Sequence, residues 1–349
     1  MKNLDLLRAV AVLCVFIAHL LNSFGLYNPG SLGRFGVIIF FVHTSLVLMA
    51  SLDRLEKSGL TSEWRLTGAF YTRRFFRIYP LAVFFVLLTP LFHIPTAPLE
   101  TYHWVGTKAF LSNVALTENL TYSPDVLDPL WSLPLEVQMY CLLPLAYFVV
   151  RKGKFWSLAL WILSLALALT VPRISARFNV FSFAPCFTSG IVSYDLMHHS
   201  GRRMPAWTFP VAILAILIAF GPLDNISLTL HGKLPRAWGL SLALGLVIAC
   251  VRDGALPAVQ PVAHWIAEHS YGIYLSHIII FWFALDVMKF SNPWLKFLIL
   301  AAGSAGVPVL LYRFIEKPFI AVGVRMAELI RSPASLGDGG GKERSQGKR

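Results

Sequence analysis

The sequence predicts an all-α integral membrane protein, a polytopic bundle of about ten transmembrane helices with both termini in the cytoplasm. Of its residues, 56% are hydrophobic and only 14% are charged, whereas a typical soluble domain has about 25% charged residues. Apolar segments long enough to cross a bilayer recur along the chain. Clusters of Lys and Arg lie in alternate connections between these segments, which is the bias of cytoplasmic loops.

Ten apolar segments account for most of the chain. They lie at about residues 4–26, 35–52, 78–94, 130–150, 155–171, 181–197, 207–223, 238–251, 265–287 and 294–315. The stretch 103–121 is only weakly apolar and carries Lys108 and Glu118, so we expect it to be partly buried or peripheral rather than spanning. The basic connections fit cytoplasmic loops throughout except at Lys233 and Arg236.

The remaining composition narrows the class of protein. The formal net charge of +12 could indicate a nucleic-acid partner, but the basic residues cluster in short loops, where they set topology instead. We therefore expect membrane lipids as partners and no nucleic acid. Residues 1–320 form the predicted membrane domain, and the basic residues 321–349 form a cytoplasmic tail expected to be disordered. Asp5 and Arg8 interrupt the first apolar run, so we expect it to be retained as a membrane span rather than cleaved.

The first apolar segment carries Arg8 and His19. On a helix, eleven residues turn through about 1100°, so the two side chains share one face and lie about 16 Å apart along the axis. A charged group at membrane depth costs roughly 3 kcal/mol and is usually turned toward a partner or a wet cavity. The pattern therefore predicts that this helix lines a functional site. The alternative is that Arg8 only anchors the cytoplasmic end and His19 is a hydrogen-bonded packing residue.

Arg74 and Arg77 form a second candidate site before the third apolar segment. They are three residues apart and share one face if the stretch is helical. Planar guanidinium groups suit phosphate oxygens, so the pair could bind the phosphates of a nucleotide or of coenzyme A. An anionic lipid headgroup fits equally well, and the charges are also explained by topology alone.

Three further segments carry polar candidates. Glu136 follows an outer connection on an apolar helix, where it could orient a histidine or act as a base; the alternative is an acid that only stabilises the start of the helix. Tyr274 and His277 are three residues apart and can face inward together, in a binding, supporting or gating role. His43 lies within the second segment without an obvious packing role. The sequence has no Gly-rich phosphate loop, HExxH motif or Gly-x-Ser-x-Gly elbow, and no metal site is expected.

Together these motifs resemble the acyltransferase-3 family of integral membrane acyltransferases, and the resemblance extends to about residue 320. The matching pieces are Leu4-Asp5-Leu6-Leu7-Arg8-Ala9 with His19, Gly36-Val37 to Phe40-Phe41, Arg74-Phe75-Phe76-Arg77-Ile78-Tyr79-Pro80, Trp131-Ser132-Leu133 with Glu136, Tyr140 and Pro144, Ser270-Tyr271-Gly272-Ile273-Tyr274-Leu275-Ser276-His277, and Ile315-Glu316-Lys317-Pro318. Each piece alone is weak, but their order and spacing are specific.

The resemblance implies an enzyme of the inner membrane that moves an acyl group, commonly acetyl, from cytoplasmic acyl-coenzyme A to a hydroxyl of a cell-envelope or exported carbohydrate. It implies that His19 is the catalytic histidine with Arg8 beside it, and that Arg74 and Arg77 form the paired motif associated with the donor. Acyl-coenzyme A is then a substrate, and no tightly bound cofactor is expected. One departure is Val42-His43, where the family commonly has a Ser-Gly pair. Some members also carry a fused extracytoplasmic hydrolase-like domain, which is not expected here.

A transporter or flippase for a lipid-linked or small anionic solute is the main alternative, because ionisable residues inside a helical bundle also line transport pathways. The sequence shows no internal repeat of the kind many transporters have. A non-catalytic scaffold would leave Arg8, His19 and Glu136 without a purpose. The sequence does not distinguish among carbohydrate acceptors, acyl groups or oligomeric states, nor between direct transfer and an acyl-histidine intermediate.

Overall fold

The computed structural model describes residues 1–25, 30–60, 62–153, 155–171, 179–199, 201, 204–220, 230–254 and 256–331. Every regular element among these residues is a helix. The α-helices are α1 (Lys2–Ser23), α2 (Gly30–Lys57), α3 (Glu63–Phe92), α4 (Thr107–Ala115), α5 (Glu118–Thr121), α6 (Leu133–Val150), α7 (Trp156–Thr170), α8 (Val180–His199), α9 (Thr208–Phe220), α10 (Leu230–Cys250), α11 (Gln260–Trp282), α12 (Pro293–Leu311) and α13 (Lys317–Arg331). A 3₁₀ turn, Asp128–Ser132, leads into α6, and a π-helical turn, Tyr312–Glu316, joins α12 to α13.

Six helical stretches are long and apolar enough to cross a membrane. They are Lys2–Ser23, Leu32–Lys57, Glu63–Phe92, Asp128–Val150, Pro257–Val287 and Pro293–Ile330. Three shorter apolar helices, Trp156–Thr170, Thr208–Phe220 and Pro235–Cys250, and the helix α8 account for the other predicted segments. The all-helical membrane architecture is thus confirmed, while the count of ten crossings and the cytoplasmic termini stay predictions.

The third helix differs from its predicted form. The basic stretch before residue 78 was expected to be a loop, but α3 begins at Glu63, so Arg74 and Arg77 lie within it. Arginine is a good helix former, and a helix can continue beyond the apolar core of a bilayer. The consequence is that the two guanidinium groups are placed by a rigid helix. Stretch 103–121 forms only α4 and α5, which at nine and four residues are too short to span.

The predicted boundary between membrane domain and tail, at residue 320, falls inside a helix. Residues 321–331 continue α13, which packs along the first half of α3. A Cβ added at Gly323 would lie 2.7 Å from the Cβ of Phe76, so the two helices are close at that point. Residues 332–349 of the predicted tail lie outside the described residues.

Helix α1 packs against both α2 and α11, and these three helices carry several of the candidate site residues. The first residues of α1 are fixed by Asp253, whose carboxylate accepts hydrogen bonds from the backbone N–H groups of Lys2 and Asn3 at 3.1 and 2.8 Å. This arrangement satisfies amides that a helix start leaves unpaired. Near the same end His264 of α11 lies 3.0 Å from Asp5. Because His277 lies beside His19 further along, α1 and α11 run parallel.

Close backbone approach joins α1 to α2 at Gly36. A Cβ at this position would lie 2.4 Å from the carbonyl oxygen of Ala11 and 2.8 Å from Cγ2 of Val15. Small residues at such crossings let membrane helices pack backbone to backbone. The contact therefore fixes the separation of α1 and α2, the two helices that carry Arg8 and His43.

We expect Gly36→Ala to destabilise the protein, because the added methyl group must push α1 and α2 apart. Overpacking of this kind costs about 1–3 kcal/mol. The measurement is thermal unfolding of the purified protein in detergent. Gly306→Ala is the matched control, since nothing lies within 4 Å of a Cβ added there. Equal melting temperatures for the two variants would contradict the proposed crossing.

Candidate active site

Two neighbouring cavities lie among α1, α2, α3, α6 and α11. The inner one, which we call the arginine cavity, has a volume of about 100 Å³. Its polar lining consists of Arg8, His43, Thr44, Arg74, Arg77, Ser132, Glu136, Tyr140, Ser270, Tyr271 and Tyr274. The second, which we call the vestibule, has a volume of about 350 Å³ and is lined by Met1, Asp5, Arg54 and His264 among others. Arg8, His43 and Val47 line both cavities, so they mark the junction.

Arg8 and Arg74 line the arginine cavity, and neither has a hydrogen-bond or ion-pair partner among the described residues. The Nε atom of each is buried and has no hydrogen bond to the described residues, and no carboxylate in that part of the chain lies within 4 Å of either guanidinium. Glu136 is near, but its carboxylate accepts a hydrogen bond from Tyr140 at 2.7 Å instead. Buried guanidinium groups left in this state indicate a site for an anionic group.

Arg77 is in a different state, because it forms an ion pair with Glu316. Its Nη1 lies 2.9 Å from Oε2 of Glu316, and the glutamate side chain is completely buried. Glu316 ends the π-helical turn between α12 and α13, a distortion that is frequent at functional sites. A Cβ at Gly272 would lie only 3.3 Å from Oε1 of Glu316, so a glycine on α11 leaves room for the carboxylate.

His19 does not line the arginine cavity and is paired with Asp128. Its Nδ1 lies 3.6 Å from Oδ2 of Asp128, and the two side chains are 22% and 32% exposed. Asp128 opens the 3₁₀ turn before α6, and its backbone N–H donates to the carbonyl oxygen of Thr96 at 3.0 Å. The carboxylate therefore lies beside one ring nitrogen, beyond hydrogen-bond distance. A small approach would let Nδ1–H donate to it and leave Nε2 available as a base.

Tyr274 connects the cavity to the histidine end. Its hydroxyl donates to the carbonyl oxygen of Pro129 and lies 2.8 Å from the Ser132 hydroxyl, so α11 is tied to the turn that carries Asp128. One helical turn further on, the His277 ring lies 5.0 Å from the His19 ring, centroid to centroid. Nδ1 of His277 lies 3.2 Å from the carbonyl oxygen of Ile273, and Nε2 is buried without a partner among the described residues.

The structure thus divides the predicted residues between two places. Around the arginine cavity it brings together Arg8, Arg74, Arg77, Glu136 and Tyr274. His19 and His277 lie together outside that cavity, about 16 Å along α1 from the level of Arg8. Glu136 therefore lies with the arginines, and the carboxylate beside His19 is Asp128. Among the described residues no group of three or more His, Cys, Asp or Glu side chains could hold a metal ion.

Two functional candidates were missed from the sequence. Asp128 lies directly before Pro129 at the start of an apolar segment, where an acid is easily taken for a loop residue. Glu316 was seen only as part of a motif, although an acid directly at the end of the last apolar segment needs a partner as Glu136 does. The signal for Glu316 was the charge of Arg8, Arg74 and Arg77, which requires nearby carboxylates to balance it.

Within the described residues, the helical bundle combines partly buried arginines that lack an ion-pair partner with a separate His–Asp pair, an arrangement that suits a membrane-embedded group-transfer enzyme. Residues 1–313 match the family described as an acyltransferase domain. The chain belongs to this acyltransferase-3 family. The family assignment made from the sequence motifs is therefore confirmed.

Three relatives support the same assignment. YrhL of Bacillus subtilis, named for peptidoglycan O-acetylation, is 26% identical over 93% of this chain and 55% of its own length. The peptidoglycan O-acetyltransferase OatA of Listeria monocytogenes is 25% identical over 90% of this chain and 55% of its own. The acyltransferase MdmB of Streptomyces mycarofaciens is 28% identical over 51% of this chain and 47% of its own length. The chain spans about half the length of these relatives, and no solved structure matches it.

We expect Glu316→Gln to lower the stability of the protein substantially, because it leaves Arg77 buried without its counter-charge. Removing one partner of a buried ion pair costs about 3–5 kcal/mol. Thermal unfolding in detergent measures the change. The double variant Arg77→Met/Glu316→Met should recover most of the loss, since it removes both charges. A single variant as stable as the parent would show that the pair is not structural.

Proposed function

We propose that this protein transfers an acyl group, with acetyl the expected one, from cytoplasmic acyl-coenzyme A to a hydroxyl of a cell-envelope or exported carbohydrate. Membership of the acyltransferase-3 family supports the reaction class, and two relatives named for peptidoglycan O-acetylation support the acceptor class. The observation that carries the proposal is the arrangement along α1. At the level of Arg8 lie two arginines without an ion-pair partner among the described residues, and at the other level lies the His19–Asp128 pair. The proposal includes ten crossings of the inner membrane and cytoplasmic termini.

The donor occupies the side of Arg8 and Arg74. These two guanidinium groups have no ion-pair partner in the described part of the chain, so they hold the phosphates of coenzyme A. Arg77, which is bound to Glu316, adds to the positive potential of the arginine cavity and forms part of its wall. Because Arg8 and His19 are separated by about 16 Å along the helix, only a long narrow arm can carry the acyl group between them. The arm passes Tyr274, which lies between the two places.

The chemistry takes place at His19. Asp128 holds Nδ1–H, and Nε2 removes the proton of the acceptor hydroxyl while the oxygen attacks the thioester carbonyl. The carbon–sulfur bond then breaks, and the imidazolium returns its proton to the departing thiolate. The products are an O-acyl ester and free coenzyme A. General base catalysis of this kind contributes about 10²- to 10⁴-fold. An acyl-His19 intermediate would use the same residues.

Glu136 acts on the donor side in this scheme. Its carboxylate lies in the arginine cavity, where it offsets part of the positive charge of Arg8 and Arg74 and binds Tyr140. A partly balanced cavity holds an anion without binding it too tightly for product release. His277, beside His19, offers an unpartnered Nε2 that can accept a hydrogen bond from a substrate N–H or O–H group.

Transport of an anionic solute remains the second candidate function. It is favoured by one observation, the neighbouring charged cavities with a shared junction. The two functions differ in whether the acceptor changes covalently.

We expect His19→Ala to abolish transfer. Asp128→Asn should reduce transfer by about 10- to 10³-fold, less than loss of the base itself, because an amide holds the ring less firmly. Mass spectrometry of envelope and secreted glycans from cells lacking the gene, complemented with each variant, shows the acyl mass increment. His103→Ala, on an exposed loop, is the control. Full transfer by a normally expressed His19→Ala protein would contradict the catalytic assignment; glycans that differ only in amount or location would favour transport.

We expect Arg74→Ala to weaken donor binding about 10- to 100-fold, because the variant loses a charge-assisted hydrogen bond to phosphate and such a bond contributes about this factor to affinity. The apparent KM for acyl-coenzyme A should rise while the KM for the acceptor stays unchanged. Arg65→Ala, on the same helix but over the Trp64 ring, is the matched control. An unchanged donor KM for Arg74→Ala would mean that its charge serves topology alone.

A further inference from the structure

The vestibule has no role in the transfer chemistry described above. One face of α2 runs along it, since His43, Val47, Ala50 and Arg54 follow one another at intervals of four, three and four residues. Helix α1 adds Leu4, Asp5 and Arg8, and α11 adds His264, Ala267 and Glu268. With a volume of about 350 Å³, it is larger than the arginine cavity and within the range of ligand sites.

Each acidic residue of the vestibule has a polar neighbour. Asp5 lies 3.0 Å from Nδ1 of His264, and Glu268 interacts with the Tyr312 hydroxyl. Arg54 has no carboxylate within 4 Å in the described part of the chain. Lys57, one turn further along α2, is instead bound to Asp53 at 2.8 Å. The uncompensated charge at this end of α2 is therefore the one that lines the vestibule.

Arg54 and the arginine cavity form one positive region. The charge of Arg54 acts on Arg74, as do the charges of Arg73 and Arg77, and Arg8 interacts with Arg77 in turn. Gathering like charges is unfavourable unless a ligand or counter-charge offsets it. Glu316 and Glu136 offset part of this charge at Arg8. Because the region extends beyond the arginine cavity, it suits a ligand with anionic groups at more than one position along its length.

We infer that the vestibule binds the nucleotide end of the donor, with Arg54 on its 3′-phosphate, while the diphosphate lies at Arg8 and Arg74. This inference rests on the proposed acyltransferase function. Leu4, Leu46 and Ala50 supply apolar lining beside the charges, which suits an adenine and its ribose. The site then prefers free acyl-coenzyme A over an acyl arm attached to a carrier protein, because the carrier-bound arm has no 3′-phosphate.

The test compares acetyl-coenzyme A with 3′-dephospho-acetyl-coenzyme A in steady-state transfer by the full-length protein. The parent should have a KM about 10- to 100-fold lower for the intact donor. Arg54→Ala should lose this preference because its KM for the intact donor rises to that for the dephospho donor, with kcat unchanged. Lys57→Ala removes an equal charge one turn away, outside the vestibule, and should keep the parent's preference.

Two results would overturn the inference and leave the acyltransferase function intact. One is an Arg54→Ala variant that keeps the full preference for the intact donor, and the other is a parent protein that uses both donors equally well. A parent protein that neither uses nor binds either donor, by calorimetry in detergent, would overturn the proposed donor and the inference together. Loss of the preference in Lys57→Ala as well would show a general effect of surface charge, which also contradicts a 3′-phosphate site.

Discussion

The arginine cavity is the constraint on which the arrangement of this bundle depends. Arg8 lies on an apolar helix, where a charge facing lipid is costly, and Arg74 and Arg77 line the same cavity from the basic half of α3. Because all three guanidinium groups must reach one cavity, the rotation of α1 and α3 about their axes is fixed. Glu316 supplies a full counter-charge to Arg77, whereas Glu136 is engaged by Tyr140. The positive charge of the cavity is therefore only partly balanced among the described residues, which supports the proposal that it binds an anion.

The position of the arginines also separates the proposed binding site from the proposed site of chemistry at His19. Positive charge is concentrated near the Met1 end of α1, and the His19–Asp128 pair lies about three helical turns away. A ligand that satisfies the arginines cannot place its charged part at His19, so the reactive group must be carried on an extension. The hydrogen bonds of Tyr274 to the turn Asp128–Ser132 hold the two ends in a fixed relation. In the proposed reaction, α1 would therefore set the distance between the donor phosphates and the reacting carbonyl.

Much of this arrangement could be predicted from the sequence, and the rest could not for a definite reason. Helical periodicity placed Arg8 and His19 on one face of α1 and Arg74 and Arg77 on one face of a helix, because those relations lie within one element. The pairs His19–Asp128 and Arg77–Glu316 join residues far apart in the chain. No local sequence pattern indicates which helices are neighbours in the fold. Hydropathy likewise marked the apolar part of α3 but not its polar first turns.

His43 shows how a departure from the family's pattern can be accommodated. Where the family commonly has a Ser-Gly pair, α2 carries Val42-His43, yet α2 and α8 still approach closely. The required glycine lies on α8, since a Cβ at Gly190 would be 2.2 Å from the carbonyl oxygen of Val42 and 2.1 Å from Oγ of Ser45. Because the partner helix supplies the small residue, position 43 is free to carry an imidazole. That ring lines both cavities, so it lies where the vestibule adjoins the arginine cavity.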